Sequence, residues 1–181
     1  MKFLANICCS RTYWLLVFIF ALSLELIALY YQYQLGYGPC LLCVEVRAIV
    51  LAIMVIALIG MFTSRLRIMA NLMNILLAIS GAAFYIKSNL LVRIERNEIE
   101  STCGFKADFP SWLPLDVWLP SVFEPWEACG YTPMMKFGLT MGEVLVYCSY
   151  FIFALGAVAL ILNLLFGKKK ADQSMFTNSS L

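Results

Sequence analysis

Apolar residues fill four long stretches of this chain, and short polar segments or one long loop separate them. The stretches lie near residues 13–33, 41–62, 68–90 and 143–166. Each is long enough to cross about 30 Å of hydrocarbon as a helix. We therefore predict an all-α membrane protein: a four-transmembrane-helix bundle that forms a single integral membrane domain over residues 1–181, with a loop near 91–142 and a tail near 167–181.

Composition supports a membrane protein over a soluble one. Hydrophobic residues make up 62% of the chain and charged residues 13%, whereas soluble domains are nearer half apolar and a quarter charged. The first stretch is longer than the apolar region of a cleaved signal, and no A-x-A site follows it. We expect it to be retained as a helix.

Basic residues indicate the orientation of the four spans. Lys2, Arg11, Arg65, Arg67 and the run at 168–170 fall on one side, whereas the long loop carries more acids than bases. The positive-inside rule then puts both termini in the cytoplasm and the long loop outside. In a bacterium the outside is the oxidising periplasm.

The chain contains no histidine, which excludes several kinds of site. Ser-His-Asp triads, Cys-His pairs, histidine-ligated haem and most zinc sites are ruled out. Cys103 and Cys129 are too far apart to be one local ligand pair, so we expect no metal. The net charge of +2 is too small to indicate nucleic-acid binding.

Cys40 and Cys43 form a C-x-x-C pair at the predicted start of the second span. Helix N-terminal amides and a nearby cation both favour a thiolate, which is the species that performs disulfide exchange. Arg47 is four residues after Cys43 and therefore shares its helix face. The pattern indicates a redox centre in the membrane; the alternative is a structural disulfide.

The other cysteines divide by predicted side. Cys103 and Cys129 lie in the outer loop, Cys8 and Cys9 on the cytoplasmic side, and Cys148 within the fourth span. We expect the last three to be unpaired and dispensable for activity, because an unpaired buried cysteine usually acts as a small hydrophobe. The outer two are either the staple of a membrane-hugging loop or a second exchangeable disulfide on a mobile arm.

The loop also holds the features of a membrane-surface element. Most of the prolines and tryptophans of the chain lie between Cys103 and Cys129, and prolines prevent one long helix there. We predict a short interfacial helix within the stretch 112–126. The apolar residues expected to be half-immersed in the membrane surface are Trp112, Leu113, Leu115, Trp118 and Leu119.

These residues together resemble the bacterial disulfide bond formation protein B (DsbB) family over essentially the whole chain. The resemblance rests on the four spans, P-C-x-x-C, Arg47, the segment F-P-S-W-L-P-L-D at 109–116, and the second cysteine pair. It implies an inner-membrane, quinone-dependent protein-disulfide oxidoreductase. Its partner would be a periplasmic thioredoxin-fold protein similar to DsbA, and its cofactor ubiquinone or menaquinone.

The resemblance also implies roles for individual residues. Cys40–Cys43 and Cys103–Cys129 would be the redox-active disulfides, with Cys103 attacked by the partner. Cys43 would lie next to the quinone, with Arg47 stabilising negative charge there. Many family members have a glutamate directly before this arginine, whereas here Val46 precedes Arg47 and the acid is Glu45. Some members have a histidine near the end of span three, and this chain has no histidine.

Glu25 is an ionisable residue inside the first span, where a charge is costly unless it is paired or faces the protein interior. One interpretation is that it faces the bundle near the quinone and helps to deliver protons there. The other is a hydrogen-bonding strut between helices.

Two alternatives to a general oxidase remain at the level of sequence. One is a paralogue dedicated to a single secreted enzyme. The other, from a different class, is a non-enzymatic membrane scaffold or small transporter with structural disulfides, which would bind no quinone and show no turnover.

Overall fold

The computed structural model describes residues 10–63, 67–100, 109, 114–127, 129–130, 132–135 and 138–167. The described residues are helical, apart from loops and two isolated backbone bridges. Four helices are long and apolar enough to cross a membrane. The predicted all-α fold with four transmembrane helices is confirmed. The helices are α1 (Arg11–Leu35), α2 (Leu41–Thr63), α3 (Arg67–Glu95), α4 (Leu115–Trp118), α5 (Pro120–Phe123) and α6 (Met141–Gly167).

Each predicted span lies inside one of the long helices. The largest difference is at the end of α3, which continues to Glu95, five residues beyond the predicted limit at 90. In this extension Arg93 and Glu95 interrupt a run of buried apolar residues, and these two charges obscure the end of the helix in the hydropathy pattern.

Local side-chain contacts define two of the helix ends. The Ser10 hydroxyl accepts a hydrogen bond from the backbone N–H of Tyr13 and caps α1. At the start of α6, the N–H of Glu143 donates to the Thr140 hydroxyl, and the N–H of Thr140 donates to the Glu143 carboxylate. This reciprocal pair is a capping box. It fixes where the loop ends and the last long helix begins.

The long helices alternate in direction and pack as neighbours. Contacts are most extensive between α3 and α6, and α2 packs against both α1 and α3. The main core is centred on Trp14, Ile53, Leu77 and Phe84, all fully buried. It occupies mainly the half of the bundle that contains the start of α1 and the end of α2.

The outward faces of the bundle are apolar and exposed. Leu16, Phe62, Ile86 and Leu165 each expose more than 60% of their surface. A continuous apolar exterior of this kind is suited to lipid and not to water. The molecule is therefore a multi-pass membrane protein. We call the end formed by the C-termini of α1 and α3, the N-termini of α2 and α6, and the described loop residues the cysteine end.

Candidate functional site

Cys40 and Cys43 lie at the first turn of α2, as the sequence predicts. Cys40 immediately precedes the helix, and its carbonyl oxygen accepts a hydrogen bond from the Val44 N–H at 3.0 Å. The Cys43 N–H donates to the Cys40 Sγ at 3.3 Å. A hydrogen bond with the Cys43 side chain, together with burial, raises the pKa of the Cys40 thiol. These surroundings favour the thiol form of Cys40 over its thiolate.

Cys40 and Cys43 are free thiols in the structure. The structure therefore shows the pair as two thiols and not as the expected Cys40–Cys43 disulfide. Two free thiols are the reduced form of such a pair.

A cleft opens beside Cys43 at the cysteine end, between α1, α2 and the start of α6. The empty space in the cleft and at its open mouth is together about 630 Å³. Most of its wall is apolar or aromatic, and its polar side chains are few. Glu25, Arg47 and Thr132 are among them, together with the Cys43 thiol. The remaining lining residues are Leu24, Ala28, Tyr31, Tyr37, Gly38, Pro39, Val46, Val50, Pro133, Met141 and Leu145.

Arg47 is buried in the wall of this cleft and makes three hydrogen bonds. One guanidinium nitrogen, Nη1, donates to Gln32 Oε1 at 2.5 Å and to the Val122 carbonyl at 3.0 Å. The other, Nη2, donates to the Ala28 carbonyl at 3.3 Å. Arg47 is therefore held by α1 on one side and by α5 of the loop on the other. Its charge lies close enough to Cys43 to interact with it electrostatically.

Glu25 faces the same cleft from α1. Its Oε1 atom is buried and has no hydrogen-bond partner among the described residues. A buried polar atom without a partner is costly, so this oxygen is positioned to bind something that enters the cleft. The structure thus brings Glu25 together with Cys43 and Arg47. Its function as proton donor or strut stays a prediction.

The loop covers the C-x-x-C pair through backbone contacts. The N–H groups of Trp126 and Glu127 donate to the Pro39 carbonyl at 2.9 and 3.4 Å, and Cys40 and Glu127 form an isolated parallel bridge. A Cβ atom at Gly38 would lie only 2.9 Å from the Glu127 side chain. Glycine at this position therefore permits the loop to lie directly against the start of α2.

Cys129 lies in the same buried cluster as Cys40. The cluster also contains Leu42, Leu91 and Ile94, so a cysteine of the loop and the first cysteine of the C-x-x-C pair share one apolar environment. Cys129 is disulfide-bonded. Its predicted partner, Cys103, lies outside the described residues.

Glu95, at the end of α3, binds two threonines of the loop just before α6. Its two carboxylate oxygens accept hydrogen bonds from the hydroxyls of Thr132 at 2.8 Å and Thr140 at 3.1 Å. Thr132 lines the cleft, and Thr140 caps α6. One carboxylate thus fixes both ends of the chain segment that closes one wall of the cleft.

Of the other cysteines, Cys148 is a half-buried free thiol on α6, where it packs against the main core. Cys8 and Cys9 lie outside the described residues. The sequence reasoning missed Gln32 and Glu95, although both are polar residues at the outer ends of long apolar helices. That position was the signal available to find them.

The expectation for Leu115 was wrong. It is buried in a small cluster with Val44 and Phe123, so it faces the protein and not the membrane surface. The short helix α4 directs Val117 and Trp118 outward, and both are highly exposed. Trp112 and Leu113 lie outside the described residues.

Sequence comparisons identify relatives of the whole described fold. Residues 10–161 match the family described as disulfide bond formation protein DsbB. Proteins named disulfide bond formation protein B from Shewanella loihica and Histophilus somni are each 35% identical to this chain. The first match spans 94% of this chain and 100% of the relative, and the second 83% and 87%. The chain therefore belongs to the DsbB family of disulfide bond formation proteins.

Proposed function

We propose that this protein is a bacterial inner-membrane oxidoreductase that reoxidises a periplasmic thioredoxin-fold dithiol oxidase similar to DsbA. It passes the electrons to a membrane quinone and so sustains disulfide formation in secreted proteins. Both termini are in the cytoplasm, and the cysteine end faces the periplasm. The observation that carries the proposal is a single cleft bordered by Cys43, Arg47 and Glu25, with Cys129 packed near Cys40 above it.

The residues of the cleft fit a quinone. A quinone has a flat apolar ring and two carbonyl oxygens, and the cleft offers aromatic side chains with a few convergent polar groups. Arg47 and Glu25 are the polar residues that would hold it, and the Glu25 Oε1 has no partner among the described residues. When bound, ubiquinone or menaquinone would accept two electrons and two protons.

The cysteines move the electrons by two exchanges. A thiolate of the partner attacks Cys103 of a Cys103–Cys129 disulfide and releases Cys129 as a thiolate. The packing of Cys129 with Cys40 supports attack by that thiolate on a Cys40–Cys43 disulfide at Cys40, which releases Cys43. The second partner thiolate then displaces Cys103, and Cys103 displaces Cys40 from Cys129. The partner ends oxidised, the loop disulfide is restored, and Cys40 and Cys43 hold the two electrons.

Arg47 and Glu25 act on charge and protons at the cleft. The Arg47 guanidinium stabilises the Cys43 thiolate and any anionic oxygen held beside it. Oxidation of the partner dithiol releases two protons on the periplasmic side. Glu25 is the one carboxylate residue among the described residues that line the cleft, and its buried Oε1 can hold a proton there.

The test is oxidation of a DsbA-like dithiol by the purified protein with a short-chain ubiquinone, followed by quinone absorbance. We expect turnover that requires both the protein and the quinone. The matched control is Cys148→Ala, which removes a described thiol on α6 away from the cleft and should leave turnover unchanged. The same assay is run with a short-chain menaquinone. A wild-type protein that binds the partner yet transfers no electrons to either quinone contradicts the proposal.

A further inference from the structure

Gln32 is a buried amide in the last turns of α1, and it connects two parts of the molecule. Its Oε1 accepts the hydrogen bond from Arg47 Nη1, and its Nε2 donates to the Ser121 carbonyl of α5 at 2.9 Å. Only 4% of its surface is exposed. One side chain therefore contacts both the cation of the cleft and the loop.

The loop offers these contacts because α5 is a single turn. The last carbonyls of any helix have no partner within the helix, and in α5 the carbonyls of Ser121 and Val122 accept from other elements. Ser121 accepts from Gln32 and from the Tyr33 hydroxyl at 2.8 Å, and Val122 accepts from Arg47 at 3.0 Å. Two side chains of α1 and one of α2 thus hold α5 in place.

We propose that Gln32 is a positioning residue that couples the docking of α5 to the placement of Arg47 in the cleft. With α5 docked, the Gln32 amide is fixed from the loop side and directs its oxygen at Arg47. When α5 shifts, Arg47 loses the Val122 carbonyl and the amide that orients it loses Ser121. The inference rests on the proposed function, because it concerns how that site is assembled.

The coupling acts in both directions, as thermodynamic linkage requires. A ligand that binds Arg47 in the cleft favours the docked position of α5, and a docked α5 favours ligand binding. A change in the position of the loop segment that leads to Cys129 then alters ligand binding in the cleft that contains Cys43, and the reverse, through Gln32. The role lies in placement, since Gln32 is not among the residues that line the cleft.

The chain offers a matched pair of variants for the test. Gln32→Leu removes the contact with Arg47 and one contact with Ser121, whereas Tyr33→Phe removes only a contact with Ser121. Two measurements are made on folded, detergent-solubilised protein. The first is the dissociation constant of a short-chain ubiquinone, from tryptophan fluorescence quenching. The second is the rate of disulfide exchange with the partner dithiol in quinone-free protein.

We expect Gln32→Leu to weaken quinone binding about tenfold, the usual effect of losing a hydrogen bond to a charged group. Exchange in the absence of quinone should also slow, because α5 is held less firmly. Tyr33→Phe should change quinone binding by less than about twofold, since it removes an exposed hydrogen bond. Gln32→Glu should lose less quinone binding than Gln32→Leu does, because a carboxylate oxygen still accepts from Arg47, and its exchange should slow because the contact with Ser121 is lost.

Normal quinone binding in a folded Gln32→Leu protein overturns the inference. An equal loss of binding in Gln32→Leu and Tyr33→Phe also overturns it, since anchoring of the loop alone would then explain the effect. If Gln32→Leu does not fold, Gln32→Glu decides: exchange and quinone binding both at the wild-type level contradict the inference, because that variant has lost the contact with Ser121. The proposed function fails separately, if wild-type protein shows no quinone-dependent oxidation of the dithiol.

Discussion

Different interactions stabilise the two halves of the bundle. The half opposite the cysteine end is stabilised by burial of large apolar side chains such as Trp14 and Ile53. Its main polar contact between helices lies within the core, where the Tyr13 hydroxyl donates to Asn74 Oδ1 at 3.3 Å. At the cysteine end, two smaller apolar clusters are supplemented by hydrogen bonds from side chains to a distant loop. All three ion pairs among the described residues also lie in this half.

This difference separates a rigid frame from a part that can rearrange. Between helices in a bilayer, a well-packed apolar core is held by many van der Waals contacts at once, whereas a single hydrogen bond contributes only about 1 kcal/mol net. Regions held by few buried apolar contacts open at lower free energy than the core. Disulfide exchange needs sulfur atoms that change partners, so a loop held by separable hydrogen bonds suits the chemistry. The comparison predicts that substitutions at the cysteine end change electron transfer more than stability.

The largest contrast should be between Cys43 and the three cysteines that the sequence predicts to be dispensable. Cys43→Ala should reduce quinone-dependent turnover by more than roughly a thousandfold, because no thiolate remains beside Arg47. The combined replacement of Cys8, Cys9 and Cys148 by alanine should leave turnover within about twofold. Dithiol oxidation by both purified variants is the measurement. A normally folded triple variant that loses most activity contradicts the prediction that Cys8, Cys9 and Cys148 are dispensable.

Arg47→Leu should cause the next largest loss of activity, and it should impair both the quinone step and disulfide exchange at the loop. From sequence alone, only the quinone step is expected to suffer, with exchange at the loop largely retained. The structure changes this prediction, because Arg47 also binds the Val122 carbonyl. We expect the apparent KM for quinone to rise about tenfold to a hundredfold, with slower exchange in quinone-free protein.

Arg47→Lys is the matched control for charge. Lysine keeps the cation but cannot reach several acceptors at once in the geometry of a guanidinium. It should recover part of the quinone KM and little of the exchange rate. Full recovery of both rates would mean that charge alone, and not the three hydrogen bonds, explains the role of Arg47.

The sequence predicted what depends on local pattern. Runs of apolar residues located all four long helices, and the spacing of Cys43 and Arg47 placed both side chains on the same face of α2. The start of α6 also had a local signal, T-x-x-E at Thr140 and Glu143. Interactions within a few residues of each other are readable because helix geometry alone determines them.

Contacts between distant segments could not be predicted from the sequence in the same way. Gln32 binds a backbone carbonyl 89 residues away, and every residue has a carbonyl, so the sequence does not identify the acceptor. Leu115 was assigned to the membrane surface on composition. One turn of helix directs it into the protein instead, and only the tertiary packing against Val44 determines this.

Glu95 offers a way to loosen one wall of the cleft. Glu95→Leu removes the acceptor for Thr132 and Thr140, and the loss of two hydrogen bonds should slow transfer from the loop to Cys40 by about fivefold to tenfold. Glu95→Gln retains an acceptor and should be nearer wild type. Stopped-flow measurement of disulfide exchange in quinone-free protein gives the rate.

The control for Glu95 is its neighbour Arg96. Arg96 forms an exposed ion pair with Glu143 at 2.9 Å, and exposed pairs contribute little. Arg96→Ala should therefore leave exchange nearly unchanged. If Arg96→Ala slows exchange as much as Glu95→Leu, general electrostatics at the end of α3 matters more than the two threonine contacts.

Glu25→Gln should have the smallest effect, and one that depends on pH. The substitution keeps the shape of the side chain but removes a proton carrier from the cleft wall. Because the cleft has an open mouth, water can also deliver protons, so we expect turnover to fall only about threefold, well below the usual contribution of general acid catalysis. The deficit should grow from about pH 6 to about pH 8, as protons in solution become scarcer. Leu24→Ala, on the same helix and in the same cleft, serves as the control because it perturbs packing and carries no proton. If Glu25→Gln turns over normally across this range, Glu25 is a packing strut at the quinone cleft and protons enter by another route.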